Sequence, residues 1–313
     1  MKKVPIILDT DIGPDCDDAG ALAVLHALAD MGEAEILGVM HCTSNPWGVP
    51  CIDAINTYYG RPHIPIGTLK REGFLDGEPY SKYNRWVGQH FLNQYKERQQ
   101  EAPDAVDVYR QILAGQPDGS VVIVAIGPLP NLHNLLVSLP DSHSPLNGRD
   151  LVAQKVRQLV IMGGCFPREG VDGPSIDAEW NFQMDPAAAQ YVMANWPSPV
   201  MLSDFYIGWP ILTGARLLKE TSEDNPVRKA YELYTEDGNR MSWDLTAVLY
   251  AVRGLGEYWN AVTGGYIEVD EKGKTRWRPS PNGKHGYLTE RMDTERLTQV
   301  LEDLMVKPPM NKI

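Results

Sequence analysis

From Val4 to about Gly67, short apolar runs alternate with stretches whose apolar residues recur at helical spacing. Val4 to Leu8 and Ala34 to His41 are apolar runs closed by polar turns, and Ile64 to Gly67 is a shorter one; each reads as a buried strand. Between the first two, Ala21, Leu22, Val24, Leu25 and Leu28 keep a 3.6-residue period, which predicts a helix from Asp18 to about Asp30. A second helix is expected to run to about Tyr59. The alternation resumes with a helix from Asp104 to Gly115, a β-branched strand from Ser120 to Ala125, and a Gly127-Pro128 turn into another helix. Val156 to Met162 and Pro199 to Ser203 are further strands. Between them Asp185-Pro186 marks a helix start, with Asp as cap and Pro at the first helical position.

The last third predicts helices at about Pro210 to Lys219, Asn225 to Thr235, Trp243 to Val252 and Thr289 to Met305. A strand is expected at Tyr266 to Val269, with a charged hairpin or loop from Asp270 to Asn282. Strand-helix alternation is the mark of an α/β fold: a mostly parallel central sheet flanked by helices, with the ligand site at the C-terminal ends of the strands. No repeat or linker interrupts it, so a single domain over residues 1–313 is expected. Only Lys70 to Ala102 breaks the rhythm. There Tyr80, Tyr83, Trp86 and Tyr95 lie among polar residues, as in a flap over a site or a surface excursion.

Composition narrows the partners. A formal net charge of −12 argues against nucleic acid and anionic membrane, both of which call for basic surfaces, and leaves a small, neutral or cation-assisted substrate. No apolar run is long enough to span a bilayer, and no signal-peptide core follows Met1-Lys2-Lys3. Cys16, Cys42, Cys51 and Cys165 show neither zinc nor disulfide spacing, so reduced thiols in a cytoplasmic enzyme are expected.

The candidate chemistry is densest in the first turn. Asp9, Asp11, Asp15, Asp17 and Asp18 place five carboxylates in ten residues, and like charges so close repel unless a cation holds them. Oxygen-only ligands select a hard ion, Ca²⁺ or Mg²⁺. Helix capping accounts for Asp17 or Asp18 but not for all five. Asp9, Asp11, Asn45, Ile126, Gly163 and Asp204 all follow strands and so share one sheet edge, to which a late helix can bring Asp244. Glu179 and Asn181, two apart around Trp180, would point one way from an extended segment.

These motifs, Asp9-x-Asp11-x-Gly13 with Asp17-Asp18, Met162-Gly163-Gly164, Glu179-Trp180-Asn181, Asp185-Pro186 and Trp243-Asp244, in this order and spacing, resemble the inosine-uridine-preferring nucleoside hydrolases. The resemblance implies a Ca²⁺-dependent enzyme that cleaves ribonucleosides to ribose and free base, as a homodimer or homotetramer. By position, Asp11, Asp18, Asp244 and the Ile126 carbonyl would ligate calcium, Asp11 would be general base for a calcium-bound water, and Asp17, Asn45, Glu179, Asn181 and Asp244 would hold the ribose. The turn is two residues longer than the family's usual one, so which of Asp15, Asp17 and Asp18 faces the ion stays open, Asp17 and Asp18 being favoured because they adjoin the helix. Trp243 stands where other members carry a histidine acid. This is similar to purine-specific members, whose indole stacks on the base and raises its proton affinity. Trp86 is a candidate for the second stacking face, and His285 for the acid on the leaving base. No asparagine near residues 172–175 matches the family's ligand for the ribose 5′-hydroxyl. The alternatives are a hydrolase of the same fold acting on another ribosyl compound, and a non-catalytic ribosyl-ligand binder.

Overall fold

The computed structural model describes residues 3–96, 101–168, 170–171, 173–236 and 238–311. Eleven strands form among them: β1 (Val4–Thr10), β2 (Ala34–His41), β3 (Ile66–Thr68), β4 (Val121–Ala125), β5 (Val156–Met162), β6 (Val200–Ser203), β7 (Leu212–Thr213), β8 (Arg240–Met241), β9 (Trp259–Val269), β10 (Thr275–Pro279) and β11 (His285–Glu290). Nine of them make one sheet in the order β10-β9-β11-β6-β5-β4-β1-β2-β3. All the pairings from β11 to β3 are parallel, and β9 alone runs against its two neighbours. The fold is thus α/β with a mostly parallel central sheet, and β7 pairs with β8 in a separate ribbon.

Both faces of the sheet are covered, and strand periodicity divides the core between them. Ile6 and Leu8 enter the hydrophobic cluster on one side, while Ile7 enters the other. In β4, Val122 and Val124 face the first cluster, and Val121, Ile123 and Ala125 the second. A one-residue slip would exchange the two sets, so burial on both faces fixes the register. The helices Asp17–Asp30, Gly48–Tyr58 and Trp243–Arg253 cover the first side; Ala105–Ala114, Pro130–Val137 and Pro186–Asn195 cover the second.

Several elements differ from the sequence expectation. The irregular stretch after Lys70 contains a helix, Tyr83–His90, and Gly148–Lys155 is a helix no motif announced. The helix expected from Pro210 is confined to Ala215–Glu220, because Leu212 and Thr213 pair with β8. Thr289 and Glu290 belong to β11, and the closing helix runs over Thr294–Met305, capped by Asp293, which accepts from the amides of Glu295 (2.9 Å) and Arg296 (3.3 Å).

Candidate active site

The C-terminal ends of the parallel strands open into a cavity of about 590 Å³. At the end of β1 the chain turns through Asp11 and enters the helix Asp17–Asp30, whose first turn carries Asp17 and Asp18 at the positive end of the helix dipole. Ile126 follows β4, tied by its amide to the Asp9 carbonyl at 2.8 Å. Asp244 lies in the first turn of Trp243–Arg253, where its amide donates to Asp17 Oδ2 at 3.1 Å across 227 positions of sequence. Glu179 has extended backbone, but Asn181 does not share it, being in a short helix. Glu179 caps the helix Trp180–Met184, accepting from the amides of Asn181 (2.8 Å), Phe182 (3.2 Å) and Gly164 (3.2 Å). Asn181 Nδ2 donates to the carbonyls of Ile126 (3.3 Å) and Met162 (3.2 Å), which joins this helix to β4 and β5.

One ligating oxygen from each of Asp17, Asp18 and Asp244 lies within 4.8 Å of the others, and all three residues are buried. Asp11 faces the same cavity, its carboxyl within hydrogen-bonding reach of Asp18. Thr10 Oγ1 donates to Asp18 Oδ1 from behind. Burial, followed by the neighbouring acids, pushes Asp17 and Asp244 well above the usual carboxylate range; Asp11 and Asp18 are raised well above it too, burial again being the main cause. Burial also raises Glu179 to about 7 although three amides face it. Four buried carboxyls side by side are what a hard divalent cation compensates, so these residues fit a metal ion. Ile126 lines the cavity beside them.

Asp15 is held apart from this group. Arg240 Nε reaches both Asp15 oxygens at 2.9 Å and Arg240 Nη2 donates to Oδ2, while Tyr83 Oη donates to the Asp15 carbonyl at 2.6 Å. Of the three candidate acids, Asp17 and Asp18 therefore face the cluster and Asp15 belongs to the rim. Trp243 lines the cavity, its Nε1 donating to the Phe205 carbonyl at 2.9 Å, with the Arg240 guanidinium 5.1 Å over its ring. Tyr80, Trp180, Phe205 and Tyr234 complete an aromatic wall. Arg240 and Tyr234 escaped the sequence reading; the only local signal was a cation three positions before Trp243.

Three expected site residues lie elsewhere. Trp86 is outside the cavity lining, stacked on His90 at 4.1 Å with Lys229 Nζ 4.8 Å over its ring. His285 opens β11 opposite Val200, at the amino edge of the sheet, where its Nδ1 accepts from the Ile267 amide at 3.0 Å; a lone histidine before a glycine was a strand residue. Asn45 is buried behind the wall, its Nδ2 donating to the Tyr80 carbonyl (3.1 Å) and Ser81 Oγ (3.0 Å) and its Oδ1 accepting from the Trp47 amide (2.9 Å). It fastens the stretch after residue 77 instead of lining the cavity. Of residues 172–175, Asp172 lies outside the described residues, and the Pro174 carbonyl accepts from Tyr206 Oη at 3.2 Å.

A family model described as inosine-uridine preferring nucleoside hydrolase matches residues 6–299. An uncharacterised protein of Schizosaccharomyces pombe is 29% identical over 273 residues, 79% of this chain and 82% of its own length. The pyrimidine-specific ribonucleoside hydrolase RihB of Escherichia coli is 26% identical over 214 residues, 64% of this chain and 60% of its own. Among solved structures, a plant nucleoside hydrolase superposes with a TM-score of 0.71 at 20% identity, covering 98% of this chain and 100% of that one. An inosine-guanosine nucleoside hydrolase superposes with 0.69 at 21%, covering 96% and 98%.

Proposed function

The chain belongs to the inosine-uridine preferring nucleoside hydrolase family, and from that premise we propose that it hydrolyses the N-glycosidic bond of ribonucleosides, purine ribonucleosides in preference, with Ca²⁺ as its resident ion. The observation that carries the reading is the meeting of Asp17 and Asp18 with Asp244 in the wall that also holds Asp11, Glu179 and Asn181. Asp11, Asp18, Asp244 and the Ile126 carbonyl would hold the ion. Bound there, Ca²⁺ supplies positive charge that acidifies a water molecule and orients sugar hydroxyls.

The protein's own groups supply the rest. Asp11 takes the proton of the attacking water as its oxygen bonds to the anomeric carbon. Asp17, Glu179, Asn181 and Asp244 receive the ribose hydroxyls, which selects against deoxyribose because a site built around a hydroxyl is left unpaired without one. Fixed carboxylates beneath the sugar stabilise the ribosyl cation that forms only in the transition state. The aromatic wall and the cavity's volume of about 590 Å³ support the reading of a bicyclic base against Trp243.

Release of free base and reducing sugar from a panel of ribonucleosides tests the activity, and no release from any of them overturns it. Asp11→Ala is expected to lower kcat by about 10²–10⁴-fold; retained turnover removes Asp11 from the role of base. We place the enzyme among cytoplasmic homodimers or homotetramers, in line with the general prior for soluble enzymes; light scattering that returns a monomer overturns the oligomer.

A further inference from the structure

Arg240 lines the cavity beside Trp243, against which the proposed reading sets the base, and its surroundings bear on the charge that group carries on departure. Nε and Nη2 donate to Asp15 and Nη1 donates to Met241 Sδ at 3.8 Å, which among the described residues leaves one N–H on each of Nη1 and Nη2 for a ligand. The guanidinium lies 5.1 Å over Trp243 and 5.5 Å over Tyr234. A second cation, Lys82, also lines the cavity, its Nζ 4.5 Å over Tyr234. No histidine lines the cavity among the described residues. An indole can raise the proton affinity of a stacked base by favouring positive charge over its face. Here a guanidinium occupies that environment; Asp15 offsets much of its charge, but its spare N–H groups can donate to an oxo group that gathers negative charge and have no acceptor to offer a protonated base.

We propose that Arg240, fixed by Asp15 against Trp243, bears the negative charge of the departing base, so that the substrates are ribosides of acidic oxo-heterocycles, dioxopurines above all, which leave as anions. This rests on the N-ribohydrolase reading. In the step, the bond from the anomeric carbon to the ring nitrogen breaks and its electron pair stays on the heterocycle, delocalised towards an oxo group facing Arg240. The water oxygen bonds to the anomeric carbon, its proton passes to Asp11, and the heterocyclic anion takes a proton from solvent after release. Asp15 is a positioning residue: it leaves the acid cluster for the rim, where it pairs with Arg240.

The test measures kcat/KM for xanthosine, inosine and adenosine, and for p-nitrophenyl riboside, whose leaving group needs no proton, with the full-length Ca²⁺-loaded protein. The expected order follows leaving-group acidity, xanthosine over inosine over adenosine. Arg240→Gln is expected to cost roughly 100-fold on xanthosine, the scale of one lost anion-stabilising donor, and under threefold on adenosine. Arg240→Lys is expected to restore part of the xanthosine rate, and Asp15→Asn to lower kcat on xanthosine more than it raises KM. Adenosine cleaved as fast as xanthosine, or an Arg240→Gln loss equal on every substrate, overturns the proposal while p-nitrophenyl riboside cleavage upholds the parent reading. Cleavage of no riboside overturns both. If Arg240→Gln does not fold, the substrate order of the unaltered enzyme and of Arg240→Lys decides.

Discussion

Gly127 has no side chain because the site leaves no room for one. A Cβ there would sit 2.8 Å from Asp11 Oδ1, 2.9 Å from the Asp11 amide and 2.7 Å from Cys42 Sγ, so the glycine sets how closely the β4 turn backs the acidic turn. Gly127→Ala is expected to lower kcat at least tenfold by displacing Asp11 and to cost about 1–3 kcal/mol of stability; steady-state kinetics with urea denaturation checks both, and a variant of full activity would show that Asp11 tolerates the shift. At this scale the acids were legible because charge density has no cheap structural explanation, and Asp11, Asp17, Asp18 and Asp244 do share one cavity. The Asp15–Arg240 pair was not, since 225 residues separate its partners and neither has a local pattern. Histidine and tryptophan misled for the opposite reason: their chemistry suggests a role wherever they occur, but His285 and Trp86 serve strand and helix packing.

Among the elements, the segment joining β5 to the helix Trp180–Met184 forms one wall of the site and is anchored by Arg168. Its guanidinium bonds Asp204 Oδ2 at 3.0 Å and Glu290 Oε1 at 2.5 Å, so it pins the segment to the ends of β6 and β11. The Asp204 side chain is fully buried, and burial pushes its pKa up to about 6 even with Arg168 present. Arg168→Gln would strand that carboxylate at a cost of about 3–5 kcal/mol. A folded-state pKa above the unfolded value means that stability is present at low pH and lost as pH rises through it. The loss in this variant is therefore expected to be greater at pH 8 than at pH 5. Denaturation at the two pH values checks this, and an equal loss would show that the charge of Asp204 is not the cause. Strand and helix alternation was legible up to β6 because buried parallel strands are continuous apolar runs. The β9–β11 edge was less so: β9 is half exposed and its pattern is mixed with charge. Asn181 read as extended because a five-residue helix is too short to show a period.

For the whole molecule, a formal net charge of −12 with four carboxyls gathered in one cavity leads to the expectation that a bound cation raises stability. Ca²⁺ at 100 times its dissociation constant is expected to raise Tm by about 4 °C, and chelation to reverse it. Mg²⁺ should do less, because it demands a tighter octahedron than side chains from distant elements supply. Thermal scans with each ion check this, and no shift with either would leave the cluster without a resident metal. The sheet could be foreseen as a whole because its two faces impose one register throughout.

The fastening of residues 77–90 has a consequence for how molecules come and go. Asn45 grips the Tyr80 carbonyl, Asn84 Nδ2 donates to the Ile12 carbonyl at 3.2 Å, and Tyr83 holds the Asp15 backbone. Lifting this flank would pull on the acid-bearing loop, to which these bonds tie it. Molecules must then pass over a fixed rim, whose solvent-facing residues include Pro79 and Lys82 on this flank and Trp180 and Gln183 on the helix that Glu179 caps.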